Sequence, residues 1–245
     1  MDKQLIYFTV SNNEKYIKLA DLCVKSLYKT GYDGDILFIT DMRAEILSGI
    51  TFKKNPLFLE LGTSNLHESS ANKLKLYLFD HIEEYDRIIF SDVDILWLKS
   101  PSSLFYLLDD DTFHVSNEPH LMSERWWGGD IISPEERRSI DEGGVKGINA
   151  GIFGLTNKVV HHLREIDLFV SQNTDKINAC LEQPFFNVYL YRNQLYQNDF
   201  NGVVSHNGYN MDNYDGVLLH FAGGPGNFTT KYDKMLNYAE KNKII

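Results

Sequence analysis

Cysteine is scarce in this chain, and so are positive charge and long apolar runs. The two cysteines, Cys23 and Cys180, are too few for a disulfide framework or a zinc site. Both fall in segments with helical patterning among apolar neighbours, so buried free thiols are expected. No stretch is apolar for the length that crosses a bilayer. Met1-Asp2-Lys3-Gln4 runs straight into a strand pattern without a signal peptide, which gives a cytoplasmic protein as the expectation. Lys and Arg number 24 against 34 Asp and Glu, a formal net charge of −10. That balance speaks against nucleic acid and against anionic membrane surfaces as partners. A phosphate-bearing ligand would need positive charge supplied locally, by a metal or by a few placed lysines. Internal repeats and flexible linkers are lacking too, and 245 residues suffice for one domain with a substantial core.

What is present begins as an alternation of strands and helices. Leu5 to Val10 is an apolar strand. Glu14 to Lys29 has helical spacing, with Ile17, Leu19, Ala20, Val24 and Leu27 on its buried face. Asp35 to Thr40 is a second strand, and Phe52 to Leu59 a third, interrupted by Pro56 and so edge-like. Ser70 to His81 reads as a helix and Arg87 to Ser91 as a fourth strand. Such βαβ alternation implies an α/β fold with a mainly parallel central sheet flanked by helices. Beyond it, Ser102 to Leu108 is helical. Residues 118 to 144 read as a long excursion with short helical pieces around Trp126-Trp127-Gly128-Gly129. Gly151 to Leu155 is a strand, Lys158 to Val170 and Leu181 to Tyr191 are helices, Val217 to Phe221 is a late strand, and Phe228 to Lys243 is an amphipathic C-terminal helix.

The chemistry concentrates at Asp92-Val93-Asp94, directly after the fourth strand. Residues i and i+2 of extended backbone face the same side. Two carboxylates delivered that way suit a hard divalent cation with open positions for a diphosphate. The triplet alone is weak, because Asp33-Gly34-Asp35 and Asp109-Asp110-Asp111 also fit it. Those two follow a Gly-rich turn and a helix, and read as solvated loop carboxylates. In parallel-centred sheets ligands bind beyond the carboxyl ends of strands, where Asp92 and Asp94 lie. A second apolar run, Val217-Leu218-Leu219, also ends in a ligand-type side chain, His220. Gly223-Gly224-Pro225-Gly226 follows, where backbone N–H groups can approach an anion closely. One imidazole beside two carboxylates tilts a hard-metal site toward Mn²⁺, with Mg²⁺ as the alternative.

These motifs, in this order, resemble the GT-A glycosyltransferases of the glycogenin and bacterial galactosyltransferase group, family eight. Thr9-Val10-Ser11-Asn12-Asn13-Glu14-Lys15-Tyr16 resembles the nucleobase-binding turn after the first strand. Asn72-Lys73-Leu74 resembles the helix with the donor-binding lysine, and Phe90-Ser91-Asp92-Val93-Asp94 the metal motif. Ile148-Asn149-Ala150-Gly151-Ile152-Phe153 resembles the strand beside the donor sugar. Glu182-Gln183 takes the place of an Asp-Gln pair, and His220-Phe221-Ala222-Gly223 the place of the third metal ligand. The segments span almost the whole chain. The family's closing motif has a lysine three residues after its glycine; here Gly226 stands there, and Lys231 is the nearest lysine.

The resemblance implies a single GT-A domain. Residues 1–100 would form a nucleotide-binding half that ends in the metal motif, and residues 101–245 a half for donor sugar and acceptor. It implies a retaining, metal-dependent enzyme that moves a sugar from a nucleotide-diphosphate sugar, UDP foremost, to a carbohydrate or protein hydroxyl, and it admits a homodimer. Asp92, Asp94 and His220 would hold the metal. Thr9, Val10, Ser11, Asn12 and Tyr16 would surround the base and ribose, and Val93, Ala150, Gly223 and Lys231 would line the donor. Lys73, Asn149 and Gln183 would orient the sugar beside Glu182. A poor nucleophile at neutral pH, Gln183 would hold an oxocarbenium-like sugar while the acceptor enters on the leaving-group face. Tyr189, Tyr191, Tyr196, Tyr209 and Tyr214 leave self-glycosylation open. A haloacid-dehalogenase-type phosphohydrolase and a non-catalytic carbohydrate-binding relative are the competing readings.

Overall fold

The computed structural model describes the chain apart from residues 1, 12, 62–73, 81, 83, 110, 178–179, 207, 209–210, 212 and 224–227. Strands β1 (Gln4–Val10), β2 (Asp35–Thr40), β3 (Leu57–Glu60) and β4 (Arg87–Ser91) run parallel. Two antiparallel pairings follow, with β7 (Lys146–Thr156) against β4 and β6 (Phe113–Leu121) against β7. β8 (Tyr196–Gln197) completes a seven-stranded sheet in the order β3-β2-β1-β4-β7-β6-β8. The fold is thus a single α/β domain with a mostly parallel central sheet flanked by helices.

Strand alternation explains why both faces are covered. Ile6, Phe8, Ile36, Phe38, Ile89 and Ile152 point to one face, against α1 (Lys15–Lys29) and α7 (Phe228–Lys241). Leu5, Tyr7, Leu37, Ile39, Ile88 and Phe90 point to the other. That second layer holds a short 3₁₀ helix (Leu74–Asp80), α5 (His161–Ser171) and α6 (Gln183–Asn193). Phe90 stacks on Phe153 at 5.0 Å, and Phe186 lies 5.1 Å from Phe153. Each such ring contributes about 1.5–3 kcal/mol by leaving water. This packing anchors the strand that carries the D-x-D segment.

A small second sheet decides the site. β5 (Ile95–Trp97) starts immediately after Asp94 and pairs antiparallel with β10 (Leu218–His220), which in turn pairs with β9 (Val204–Ser205). Ile95 is opposite His220, and the Phe221 N–H donates to the Asp94 carbonyl at 2.9 Å. Asp94 and His220, 126 residues apart in sequence, are thereby held side by side.

Several expected elements differ. The third strand begins only after Pro56, because the strand before it would lack one ladder N–H. The Ser70 to His81 helix is 3₁₀ over Leu74–Asp80, and its first turn lies outside the described residues. The strand expected from Gly151 to Leu155 is longer, the eleven-residue β7, with Asn149-Ala150-Gly151 in its interior. The excursion after residue 118 is more regular than expected. It starts within β6 and contains α4 (Pro134–Gly143), after α2 (Arg43–Gly49) and α3 (Ser102–Leu107). Ser133 caps α4 in a reciprocal box with Glu136. Cys23 is buried in α1, but Cys180 sits partly exposed in a turn before α6, not in a helix. Among the described residues, no helix is long and apolar enough to cross a membrane.

Candidate active site

At the carboxyl end of β4, Asp92 and Asp94 meet His220 from the end of β10. The ligand atoms of the three residues all lie within 4.8 Å of one another. His220 Nε2 is 3.1 Å from Asp94 Oδ1 and 3.8 Å from Asp92 Oδ2. The Asp92 N–H donates to the Gly151 carbonyl at 2.7 Å, which fixes the turn that carries both carboxylates. Glycine is required at 151, since a Cβ there would sit 2.4 Å from His220 Cε1 and 2.6 Å from Asp92 Oδ2. The strand from the second half of the chain therefore forms the floor of the cluster.

Electrostatics divide the two carboxylates. Burial first, with Asp94 and Glu182 adding to it, pushes Asp92 up to about 6 despite the nearby Lys75. Burial also works against Asp94, but His220 and Lys231 outweigh it and hold that carboxyl well below the usual range. Burial works to lower His220, yet Asp94 overrides it and the imidazole is raised. Lys231 reaches back from the start of α7, with Nζ 2.5 Å from Asp94 Oδ2. About a third of the Asp92 side-chain surface, 35%, remains accessible, against 13% for Asp94. A partly accessible carboxylate beside a second carboxylate and an imidazole nitrogen, all within ligand distance of one another, is a donor set that a divalent cation fits.

A second group lies beside the first, and sequence reasoning missed its centre. Lys75, on the 3₁₀ helix, is buried; its Nζ is 2.7 Å from Glu182 Oε1, 2.9 Å from the Ala150 carbonyl and 3.9 Å from Asp92 Oδ1. Burial works to lower its pKa, but Glu182 and Asp92 raise it on balance, so the ammonium is retained. Its charge also sits 4.8 Å over the Phe90 ring. The Gln183 amide oxygen accepts from the Ala150 N–H at 3.0 Å. Asn149 accepts from the Gly151 N–H at 2.8 Å and donates to Glu118 Oε1 at 2.5 Å. Glu118, near the end of β6, was also not anticipated. Its only cue was a carboxylate beside a predicted excursion. The cue for Lys75 was stronger, a lysine between Leu74 and Leu76, both fully buried.

The expected site residues are distributed as follows. Asp92, Asp94, His220, Asn149, Ala150, Glu182, Gln183 and Lys231 converge on one cluster. Thr9 and Val10 end β1 next to Ser11, one strand away from β4, and Tyr16 is exposed on α1. Val93, between the two aspartates, is buried. Gly223 adopts a left-handed φ of 61° just past β10, which an L side chain disfavours. Lys73, Asn12 and the glycines at 224 and 226 lie outside the described residues. Trp127 is half-buried, stacks on His120 at 5.4 Å and accepts through its carbonyl from Asn187. Trp126 is 43% exposed, with the Arg125 guanidinium over its ring.

Comparisons with known proteins bear on the family and the fold. No curated protein matches the chain. A crystal structure of the galactosyltransferase LgtC, in complex with donor and acceptor sugar analogs, superimposes with a TM-score of 0.63. The match covers 98% of this chain and 95% of that one at 16% identity, so it establishes the shared fold. The family model described as glycosyl transferase family 8 matches residues 5–225, nearly the whole chain, and sets aside the phosphohydrolase reading. The chain therefore belongs to glycosyltransferase family eight, and is a GT-A-fold glycosyltransferase that works with a nucleotide-sugar donor and an acceptor.

Proposed function

We propose that the enzyme transfers a hexosyl or pentosyl group from a UDP sugar to a hydroxyl acceptor, with retention and with Mn²⁺ preferred over Mg²⁺. The observation that carries this reading is the convergence of Asp92, Asp94 and His220 at the end of β4. These three would hold the cation. When bound, it supplies Lewis-acid charge to the diphosphate leaving group. That charge counts most as the glycosidic C–O bond breaks, so it favours the transition state over the ground state.

The chain's own groups do the positioning. Val10, Ser11, Asn12 and Tyr16, with Thr9, would receive the base and ribose beyond β1. Lys231 already pairs with Asp94 at the site edge. A small rotation would bring its ammonium to a phosphate oxygen, the role of the family's missing lysine, with Gly223 opening the loop beside it. Lys73 would serve the donor, and Lys75, two residues on, keeps its charge and braces Glu182 and the Ala150 carbonyl behind the sugar-orienting groups. Asn149 and Gln183, locked onto β7 by hydrogen bonds, would orient the donor sugar. An amide at Gln183 fits electrostatic support of an oxocarbenium-like sugar better than covalent attack.

A panel of nucleotide sugars with Mn²⁺ tests the reading, with product configuration followed by proton NMR. Turnover of a UDP sugar should stop in excess EDTA and return with Mn²⁺ more fully than with Mg²⁺, and an α-linked donor should give an α-linked product. Full activity in EDTA overturns the metal assignment. A β-linked first product overturns retention.

A further inference from the structure

His220 uses both ring nitrogens. Nε2 faces the two aspartates, whereas Nδ1 stands 3.1 Å from Nδ1 of His206. The rings meet edge to face, at 78° and 5.4 Å between centroids. The second sheet fixes this meeting. His206 directly follows β9, β9 lies parallel to β10, and the Gly208 N–H donates to the His220 carbonyl at 3.0 Å. The other nitrogen of His206, Nε2, is buried and has no hydrogen-bond partner among the described residues.

We propose that His206 is the positioning residue for His220 as a metal ligand, an inference that rests on the metal-dependent reading above. Two nitrogens 3.1 Å apart can share one proton. For His220 Nε2 to offer its lone pair to a cation, the His220 proton must sit on Nδ1, and His206 Nδ1 must accept it. A metal-bound histidine commonly gives its other N–H to a carboxylate or a carbonyl, which fixes tautomer and ring orientation. Here a neutral imidazole takes that place and adds no third negative charge to the Asp92–Asp94 pair. The arrangement leaves the His206 proton on the buried, unpartnered Nε2. A packing residue has no reason to keep such an unsatisfied group, whereas an acceptor for the ligand histidine does.

The test measures Mn²⁺ affinity by electron paramagnetic resonance in the presence of UDP, beside melting curves in EDTA. His206→Leu removes the acceptor, and His206→Asn restores an oxygen near the Nδ1 position. His206→Leu should weaken Mn²⁺ binding by about 10–100-fold, and His206→Asn should recover most of it with a similar metal-free Tm. Should the leucine variant fail to fold, His206→Phe takes its place. Mn²⁺ affinity within twofold of wild type in the leucine variant overturns the proposal, as does an asparagine variant as weak as leucine. If the wild type itself binds no Mn²⁺, the metal reading fails and this inference with it; if it binds and only the variants disagree, His206 alone is reassigned.

Discussion

Lys75 shows what a single side chain carries here. Its ammonium and the Glu182 carboxylate are both nearly buried, with side-chain exposures of 8% and 6%, at 2.7 Å. Removing one partner of such a pair leaves the other charge uncompensated, a cost of about 3–5 kcal/mol. Lys75→Met should therefore destabilise the protein by that order, and Glu182→Gln in the same background should recover part of the loss. Urea unfolding of both single variants and the double variant measures the coupling. Additive effects would mean that the two charges do not depend on each other. The sequence pointed to Lys73 on this segment, from resemblance; that residue lies outside the described ones, and Lys75 was not singled out. The deciding fact is tertiary, because the 3₁₀ turn aims position 75 inward over Phe90. Asp92, Asp94 and His220 were legible for the opposite reason. Each follows an apolar strand, so local pattern placed them at a strand end.

Elements were legible where one residue pattern dominated. β1, β2 and β4 are apolar runs, and the first helix carries a clear buried stripe, so their bounds were readable to within a residue. β6 was not. It buries His114, Ser116 and Glu118 beside Phe113 and Val115, and such polar interior positions mask a strand. β5 has only three residues and exists through its pairing with β10. The excursion after β6 is braced by Glu136, which caps α4 and receives Arg192 Nε at 2.7 Å and Nη2 at 2.9 Å. The Arg192 hydrogen bonds, helped by the Ser133 N–H, pull Glu136 from 4.5 down to about 2. A carboxyl lower in the folded chain than in the unfolded one contributes stability that is full above about pH 4.5 and is lost as pH falls toward 2. Glu136→Gln should lower the melting temperature at pH 7, with the gap to wild type closing between pH 4.5 and 2. A gap that stays constant across that range would remove the ion pair as its cause. In the same segment the geometry separates the two tryptophans. Trp127, stacked on His120 and packed over Gly147, is an anchor, so Trp127→Ala should lower Tm. Trp126, exposed beside the same turn, suits the apolar face of a sugar ring. Trp126→Ala should raise the acceptor KM while UDP affinity and Tm hold. An unchanged acceptor KM would leave Trp126 without a role in acceptor binding.

At the scale of the whole molecule, the site is a seam in the sequence but not in the fold. Asp92 and Asp94 come from the first hundred residues, and Asn149, Gln183, His220 and Lys231 from the rest. The central sheet joins them through the β4–β7 pairing, and the small sheet does so through β5–β10. The two cores lie on opposite faces of one sheet, so neither half owns a core of its own. That organisation makes a prediction about unfolding. A ligand that binds only the native site stabilises the whole chain by mass action, by about 2.7 kcal/mol at a hundred times its Kd. For a domain of this size each kcal/mol moves Tm by about 2–4 °C, so UDP with Mn²⁺ should raise a single melting transition by roughly 5–10 °C. EDTA should reverse most of the rise, and Asp94→Asn should abolish it, because that variant removes a proposed cation ligand without touching the packed strand behind it. Two resolved transitions, with only one shifted by the ligand, would show that the halves unfold separately and that the shared sheet does not couple them. A single transition raised equally by UDP with or without metal would keep the nucleotide site but detach it from Asp92, Asp94 and His220.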